Sequence, residues 1–184
     1  MRVPLSRRLV GERLTLRAPS FKDIPHIFEA SHVPGFTEGM PWEASAQETE
    51  YIAPMERALA AWKTGRGFSF SIEDKTDATF IGRISIRETD RELVWNIGFW
   101  THPKHQGQGY MTEAVGLILD FGFSEFKAES IEADYATWNI ASEKVLHKSG
   151  FKFVKHIPQG FKKRGHWVEE NSVRIMRSDW EALR

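Results

Sequence analysis

The stretch His105-Gln106-Gly107-Gln108-Gly109-Tyr110-Met111-Thr112 decides how this chain is read, because it joins a hydrophobic, strand-like run to a helical one through two closely spaced glycines. Glycine lacks a Cβ, so consecutive backbone N–H groups can turn toward one anion, and the unpaired N–H groups of the following helix add the positive end of its dipole. That layout suits a phosphorylated ligand held by main chain. A plain strand-to-helix turn also uses glycine, so the flanks must discriminate.

Downstream, Tyr110 to Phe123 reads as a helix whose Met111, Ala114, Val115, Ile118 and Leu119 fall on one buried stripe beneath the glycine turn. Ser130 to Tyr135 reads as a strand. A further helix starts at Asn139 as N-cap and stops before Gly150 at C′. Phe151 to His156 and Ser172 to Met176 are expected closing strands, joined by a basic loop with Gly160, Lys162, Lys163, Arg164 and Gly165.

Upstream, Phe68 to Glu73, Thr79 to Arg87 and Leu93 to Thr101 are strand-like runs separated by polar turns, as in a meander. Before them lie a helix from Ala46 to Trp62, with Ile52, Met55, Leu59 and Trp62 at helical spacing, and a loop from Ser31 to Pro41 rich in Gly and Pro. Phe21 to Ala30 is a short helix, and Arg13 to Arg17 an alternating first strand. The order β-α-α-βββ-α-β-α-β-β predicts an α/β (α+β) fold in which only the strand-helix-strand around Gly109 must be a parallel crossover.

The 184 residues are the size of one ordinary domain, so 1–184 is expected to be a single domain. Lys+Arg and Asp+Glu are both 25, and no global field favours nucleic acid or an anionic membrane. Any anion must be held locally. No run is long enough for a membrane span, and the start, Met1-Arg2-Val3-Pro4-Leu5, leads into charge instead of a signal-peptide stretch, which predicts a cytoplasmic protein. Zero cysteines remove disulfides, thiolate metal sites and a cysteine nucleophile, so a transferred acyl group would pass directly to its acceptor.

Three nucleotide turns compete for the glycine segment. A nucleotide-triphosphate loop needs a lysine after its last glycine, and none follows Gly109. A dinucleotide fingerprint needs G-x-G-x-x-G; here the third position is Thr112, with Glu129 or Glu132 as ribose partners, and an antiparallel meander stands where that fold places its first βαβ unit. The third carries a resemblance. Val94-Trp95-Asn96-Ile97-Gly98-Phe99-Trp100-Thr101-His102-Pro103, followed by His105 to Ala114, resembles the fourth strand and pyrophosphate loop of the GNAT superfamily of acetyl-CoA-dependent N-acetyltransferases. Asn139-Ile140-Ala141-Ser142 with Lys148-Ser149-Gly150-Phe151 is similar to the superfamily's Asn-x-x-Ser helix and Gly-Phe ending. Glu12-Arg13-Leu14-Thr15-Leu16-Arg17-Ala18 resembles the opening strand of the RimJ/RimL type, the ribosomal-protein alanine N-acetyltransferases.

The resemblance implies a GNAT-like mixed, mostly antiparallel twisted sheet of about seven strands flanked by helices, with its one parallel crossover at the acetyl-CoA site. It implies acetyl-CoA as co-substrate, with no metal. The Gln/Arg-x-x-Gly-x-Gly/Ala loop falls on Gln106, Gly109 and Met111, with main-chain donors from Gly107, Gln108, Gly109, Tyr110, Met111 and Thr112. Met111 stands where the family has a small residue, which predicts less room at the helix end of the loop. In the family the fourth strand parts from the fifth through a bulge and pantetheine pairs with the free backbone, here Phe99, Trp100 and Thr101, while Asn139 bonds the pantetheine arm and Ser142 sits near the sulfur.

Acetyl transfer to an amine needs a neutral amine, a polarised carbonyl and a proton for the leaving thiolate. By the resemblance, a backbone N–H near Phe99 or Trp100 polarises the carbonyl and Ser142 donates the proton, since the family's tyrosine position is Leu146. Asn96 occupies the place of a glutamate and could order a water; Glu88, His102 and Glu38 are fallback bases expected at the surface. A weak base suits an α-amine, which titrates near ~8, better than a lysine near ~10.4. The expected partner is therefore a small-molecule or peptide amine bound by a monomer or homodimer. Its pocket is expected from Phe36 to Trp42, the second helix and Lys155 to His166, with Trp42 as a wall, Trp95, Trp100 and Trp138 in the core, and Lys162, Lys163 and Arg164 available to an acidic acceptor. Two other readings stand beside this one: a non-catalytic CoA-binding or regulatory module, and an enzyme detoxifying an antibiotic or polyamine.

Overall fold

Eight strands form one sheet in the order β1-β2-β3-β4-β5-β6-β8-β7 in the computed structural model, which describes residues 3–184. Met1 and Arg2, the first residues of the start read against a signal peptide, lie outside the described residues. The strands are β1 (Arg8–Val10), β2 (Leu14–Arg17), β3 (Gly67–Asp74), β4 (Phe80–Glu88), β5 (Val94–Thr101), β6 (Ser130–Ala136), β7 (Lys152–Lys163) and β8 (His166–Met176). Helices α1 (Ile24–Ser31) and α2 (Ile52–Thr64) lie between β2 and β3, α3 (Tyr110–Glu125) between β5 and β6, α4 (Ile140–Lys148) after β6, and α5 (Arg177–Ala182) after β8. Among the described residues no helix is long and apolar enough to cross a membrane.

Period-two patterning places the core on the α3 face. Leu14 and Leu16, Phe68 and Phe70, Ile84 and Ile86, Trp95 and Ile97, and Ile131 and Ala133 point together into one buried cluster. The α3 stripe Met111, Ala114, Val115, Ile118 and Leu119 closes it, as its spacing predicts. Each large apolar side chain buried there contributes about 1.5–3 kcal/mol, so this stripe is what fixes the helix, and with it the glycine turn, against the sheet. A smaller cluster, Ile24, Ile27, Tyr51, Met55 and Phe80, joins α1, α2 and the start of β4, with Trp42 and Trp100 packed against it.

Three features differ from the sequence reading. The sheet has eight strands instead of about seven, because β1 is three residues long with one buried side chain and carries almost no periodic signal. The short α5 escapes for the same reason. The basic segment is no loop: Lys162 and Lys163 belong to β7, and the chain turns only at Arg164 and Gly165, both at positive φ. That strand is exposed along most of its length and slips register between Ile157 and Phe161, which erases the alternation a sequence would show.

The single parallel pair is β5 with β6, and it is short. Only Val94, Trp95 and Asn96 pair with Ser130, Ile131 and Glu132. Beyond Asn96 the two strands part, while β5 stays paired to β4 through Thr101 without a register shift. The parting is therefore divergence rather than the expected bulge. It leaves the β6-facing edge of β5 from Ile97 to Thr101 open beside the N-terminus of α3.

Candidate active site

The glycine turn has the geometry of an anion receptor. Gly107 and Gly109 have φ of 74° and 79°, a region costly for residues with a Cβ, and Gly109 is the N-cap of α3. Among the described residues no acceptor engages the backbone N–H groups from Gly107 to Thr112; the first amide of the helix to find one is Glu113, bonded to the Gly109 carbonyl. A run of unpaired donors at a helix start requires water or an anion. The Gln106 side chain closes the turn by donating to the Thr101 carbonyl at 3.2 Å. Met111 points down into the core and is 5 % exposed, so it does not crowd the turn as its size predicted.

A residue the sequence reading missed braces this turn. Arg13 donates through Nη1 to the Gln108 carbonyl at 3.0 Å and through Nε to Glu113 at 3.0 Å, and its guanidinium lies 4.7 Å from the Tyr110 ring centre. The Arg13 and Leu14 amides also donate to Glu113. The first residue of α3's acidic turn thus anchors the opening strand, and a cation stands beside the donor run. Nothing local in the sequence marks a contact across almost a hundred residues.

At the open edge, Phe99, Trp100 and Thr101 pair with Ile84, Arg83 and Gly82 on one side only. Asn139 caps α4, its Oδ1 accepting from the Ser142 amide at 3.1 Å, which leaves the amide Nδ2 to face outward near Gly39. The Ser142 hydroxyl is half-buried in the first turn of α4, and no protein partner engages it. Leu146 is buried in the core.

The acid-base candidates separate clearly. Asn96 lies before the parting, its Oδ1 accepting from Arg87 at 2.8 Å and its Nδ2 3.5 Å from Asp134. His102, expected at the surface, is 3 % exposed and caps a short turn by accepting the Lys104 amide through Nδ1; burial lowers its pKa despite the nearby Glu29 charge, so the ring is neutral. Glu38 is paired with Arg164 at 2.8 Å, and Glu88 lies at the far end of β4 beside Arg66. Glu132, a ribose partner in the dinucleotide reading, is held by Arg91 and Arg174.

Glu170 remains, and the sequence reading did not single it out. On β8, residues 166, 168, 170 and 172 share the sheet face opposite α3, the face that also carries Asn96, Gly98 and Trp100. Glu170 stands beside Ala136, at the end of β6 where β5 has left it. Burial, and secondarily the Asp134 charge, raise its pKa, and neither a hydrogen bond nor a cation offsets them. Space for its carboxylate comes from Gly160, where a Cβ would lie 2.3 Å from Oε2.

Two of the three segments expected to line an acceptor pocket come together. Phe36 packs edge-on against Trp100 and Trp42, at ring-centre distances of 5.4 and 6.4 Å, and the 37–42 loop is tied to the β7–β8 hairpin. Lys163, 7 % exposed, donates through Nζ to the carbonyls of Thr37, Met40 and Trp42 at 2.8, 3.1 and 2.8 Å. A cavity of about 510 Å³ lies between them, lined by Glu38, Trp138, Lys163, Arg164, His166 and Val168, with no residue from the second helix. Trp138 was expected in the core; it is 54 % exposed and faces this cavity, whereas Trp42 is half-buried against Phe36.

The acetyltransferase (GNAT) domain family matches residues 13–152. YjcK of Bacillus subtilis (strain 168), named as a probable N-acetyltransferase, is 33% identical over 116 residues, covering 62% of this chain and 64% of YjcK, less than two thirds of its length. YnaD of the same strain, an uncharacterized N-acetyltransferase, is 27% identical over 179 residues, covering 94% of this chain and 98% of YnaD. RimJ of Mycobacterium smegmatis, solved in complex with CoA-disulfide, superposes with a TM-score of 0.81 at 22% identity over 94% of this chain and 86% of that one, which shows a shared fold.

Proposed function

This chain belongs to the GNAT acetyltransferase family, and on that premise we propose that it moves the acetyl group of acetyl-CoA directly to a primary amine: a peptide α-amine, an amino acid or another small amine. The observation that carries the reading is the unbroken run of acceptorless N–H groups from Gly107 to Thr112 beside the open edge of β5. The run fits a diphosphate, and the open edge with Asn139 fits an amide-bearing arm. Acetyl-CoA supplies the activated acyl group; the chain supplies position and proton transfer.

Glu170 is the proposed base. Its ionised carboxylate takes the proton from the acceptor ammonium, directly or through a water ordered with Asn96, and a pKa raised toward neutrality makes it a better acceptor than an ordinary carboxylate. Main chain from Phe99 to Thr101 polarises the carbonyl, and as the C–S bond breaks the Ser142 hydroxyl relays the proton lost by the attacking nitrogen to the departing thiolate. With no cysteine there is no thiol to carry the acetyl group, consistent with direct transfer. We read the chain as one domain acting in the cytoplasm, as a monomer or homodimer.

The test is release of free thiol from acetyl-CoA with α-amino peptides, lysine peptides, amino acids and aminoglycosides. Turnover fastest with α-amines supports the proposal. Acetyl-CoA binding without release across the whole panel would instead favour a non-catalytic CoA-binding module, the reading that Leu146 and Asn96 encourage.

A further inference from the structure

The cavity between the 37–42 loop and the β7–β8 hairpin is bounded by basic residues, and its lysine and arginine already have partners. The Lys163 ammonium has its three donors on loop carbonyls and sits 3.3 Å from Glu43. Arg164 pairs with Glu38 at 2.8 Å and Glu43 at 3.3 Å. The neighbouring Lys162 lies over the Trp167 ring, 5.1 Å from its centre. An acidic ligand entering here would have to compete with pairs already made. What the cavity presents unspent is the Trp138 ring, the Val168 side chain and the His166 imidazole.

Trp138 is fixed as well as exposed. A Cβ on Gly39 would lie 3.3 Å from its Cη2, so the ring edge rests against the loop main chain while its body faces solvent at 54 % exposure. It immediately precedes Asn139, the cap of the helix bearing Ser142. On the other wall, Val168 is two residues before Glu170 on the same face of β8, so the two side chains stand about 7 Å apart along the strand. In the proposed mechanism an amine held at Glu170 stands beside the Val168 end of this cavity, whose other wall carries Trp138.

We infer that this cavity takes an uncharged, apolar group borne next to the acceptor amine, aromatic or branched aliphatic, with Trp138 as the specificity-determining platform. This rests on the acetyl-transfer reading and narrows its substrate class. A rigid indole offers a large contact area at low entropic cost, and apolar walls with a few fixed polar groups are the common makeup of a small-ligand site.

The experiment compares Phe-Ala-Ala, Ala-Ala-Ala and Asp-Ala-Ala, each with a free α-amine, on the full chain with saturating acetyl-CoA. The expected kcat/KM is at least tenfold higher for Phe-Ala-Ala than for Ala-Ala-Ala, and lowest for Asp-Ala-Ala. Trp138→Ala should bring the first two within about threefold of each other, and Trp138→Phe should restore part of the preference. Equal use of all three by the native chain, a preference for Asp-Ala-Ala, or a Trp138→Ala enzyme with native preference would overturn the inference while sparing acetyl transfer. If acetyl-CoA binds but neither these peptides nor the wider amine panel is acetylated, the functional reading itself fails. The cavity is then judged by phenylalaninamide binding in the presence of CoA: an indole N–H shift lost in Trp138→Ala supports it, and no shift overturns it.

Discussion

At the scale of single residues, the surroundings of the proposed proton donor Ser142 and the proposed base Glu170 say how each should respond to removal. The Ser142 hydroxyl is half-buried without a protein partner, so Ser142→Ala deletes a donor and leaves the Asn139 cap intact. General acid catalysis is commonly worth 10²–10⁴-fold, and kcat should fall by about 100-fold with acetyl-CoA affinity unchanged, read by steady-state kinetics and calorimetry. Full turnover would remove Ser142 as donor. Glu170 makes a different prediction. Its pKa is raised by burial and by Asp134, and only the ionised form can accept a proton, so activity should be lost as pH falls through that raised value. In Glu170→Gln that acidic limb should vanish from the kcat/KM profile, leaving the limb near ~8 set by an α-amine acceptor. An unchanged profile would assign the base elsewhere.

At the scale of elements, the β5–turn–α3 unit was the most legible part of the chain, because its signals are local: alternation, two glycines and a helical stripe within thirty residues. The same locality makes it testable. Gly109→Val forces a β-branched residue to φ near 79°, costing about 1–2 kcal/mol in strain, and turns the donor run away from a shared focus. Acetyl-CoA affinity should drop more than tenfold while circular dichroism stays native and Tm falls by roughly 2–8 °C. Native affinity would take the turn out of the site. Elements whose partners are distant were read poorly. Arg13 looked like part of an alternating strand, yet it braces the turn through Gln108 and Glu113. Lys163 looked like a solvated loop charge, yet three carbonyls from residues more than a hundred positions earlier surround it. Glu170 lacked any motif, and its surroundings come from two other strands, Asp134 and Ala136 from β6 and Gly160 from β7.

At the scale of the whole molecule, the two faces of the sheet are held by different physics. The α3 face is apolar throughout, whereas the opposite face near α1 is stitched by charge. Asp23, 2 % exposed, accepts from Arg17 at 2.6 and 3.0 Å, from the Ser71 hydroxyl at 2.6 Å and from the Ser20 amide at 2.9 Å, and Arg17 also donates to Glu73 at 2.6 Å. The cluster joins the start of α1 to β2 and β3. Burial by itself would raise the Asp23 carboxyl, but the bonds from Arg17, Ser71 and Ser20, with the arginine's charge, outweigh it and hold the pKa below the ordinary aspartate value. A carboxylate depressed on folding contributes stability that is complete above its unfolded pKa of about 3.9 and disappears as pH falls through the lower folded value. Asp23→Asn keeps the size but removes the charge, leaving Arg17 with Glu73 alone. Breaking a buried pair commonly costs 3–5 kcal/mol; with Glu73 retained, about 2–4 kcal/mol is expected near neutral pH, or a Tm lower by roughly 5–15 °C. That gap should narrow steadily below about pH 4, because the native chain then protonates the group the variant already lacks. Thermal unfolding of both proteins from pH 7 to pH 2.5 checks this, and a gap independent of pH would show that the ionised carboxylate is not what holds this face together.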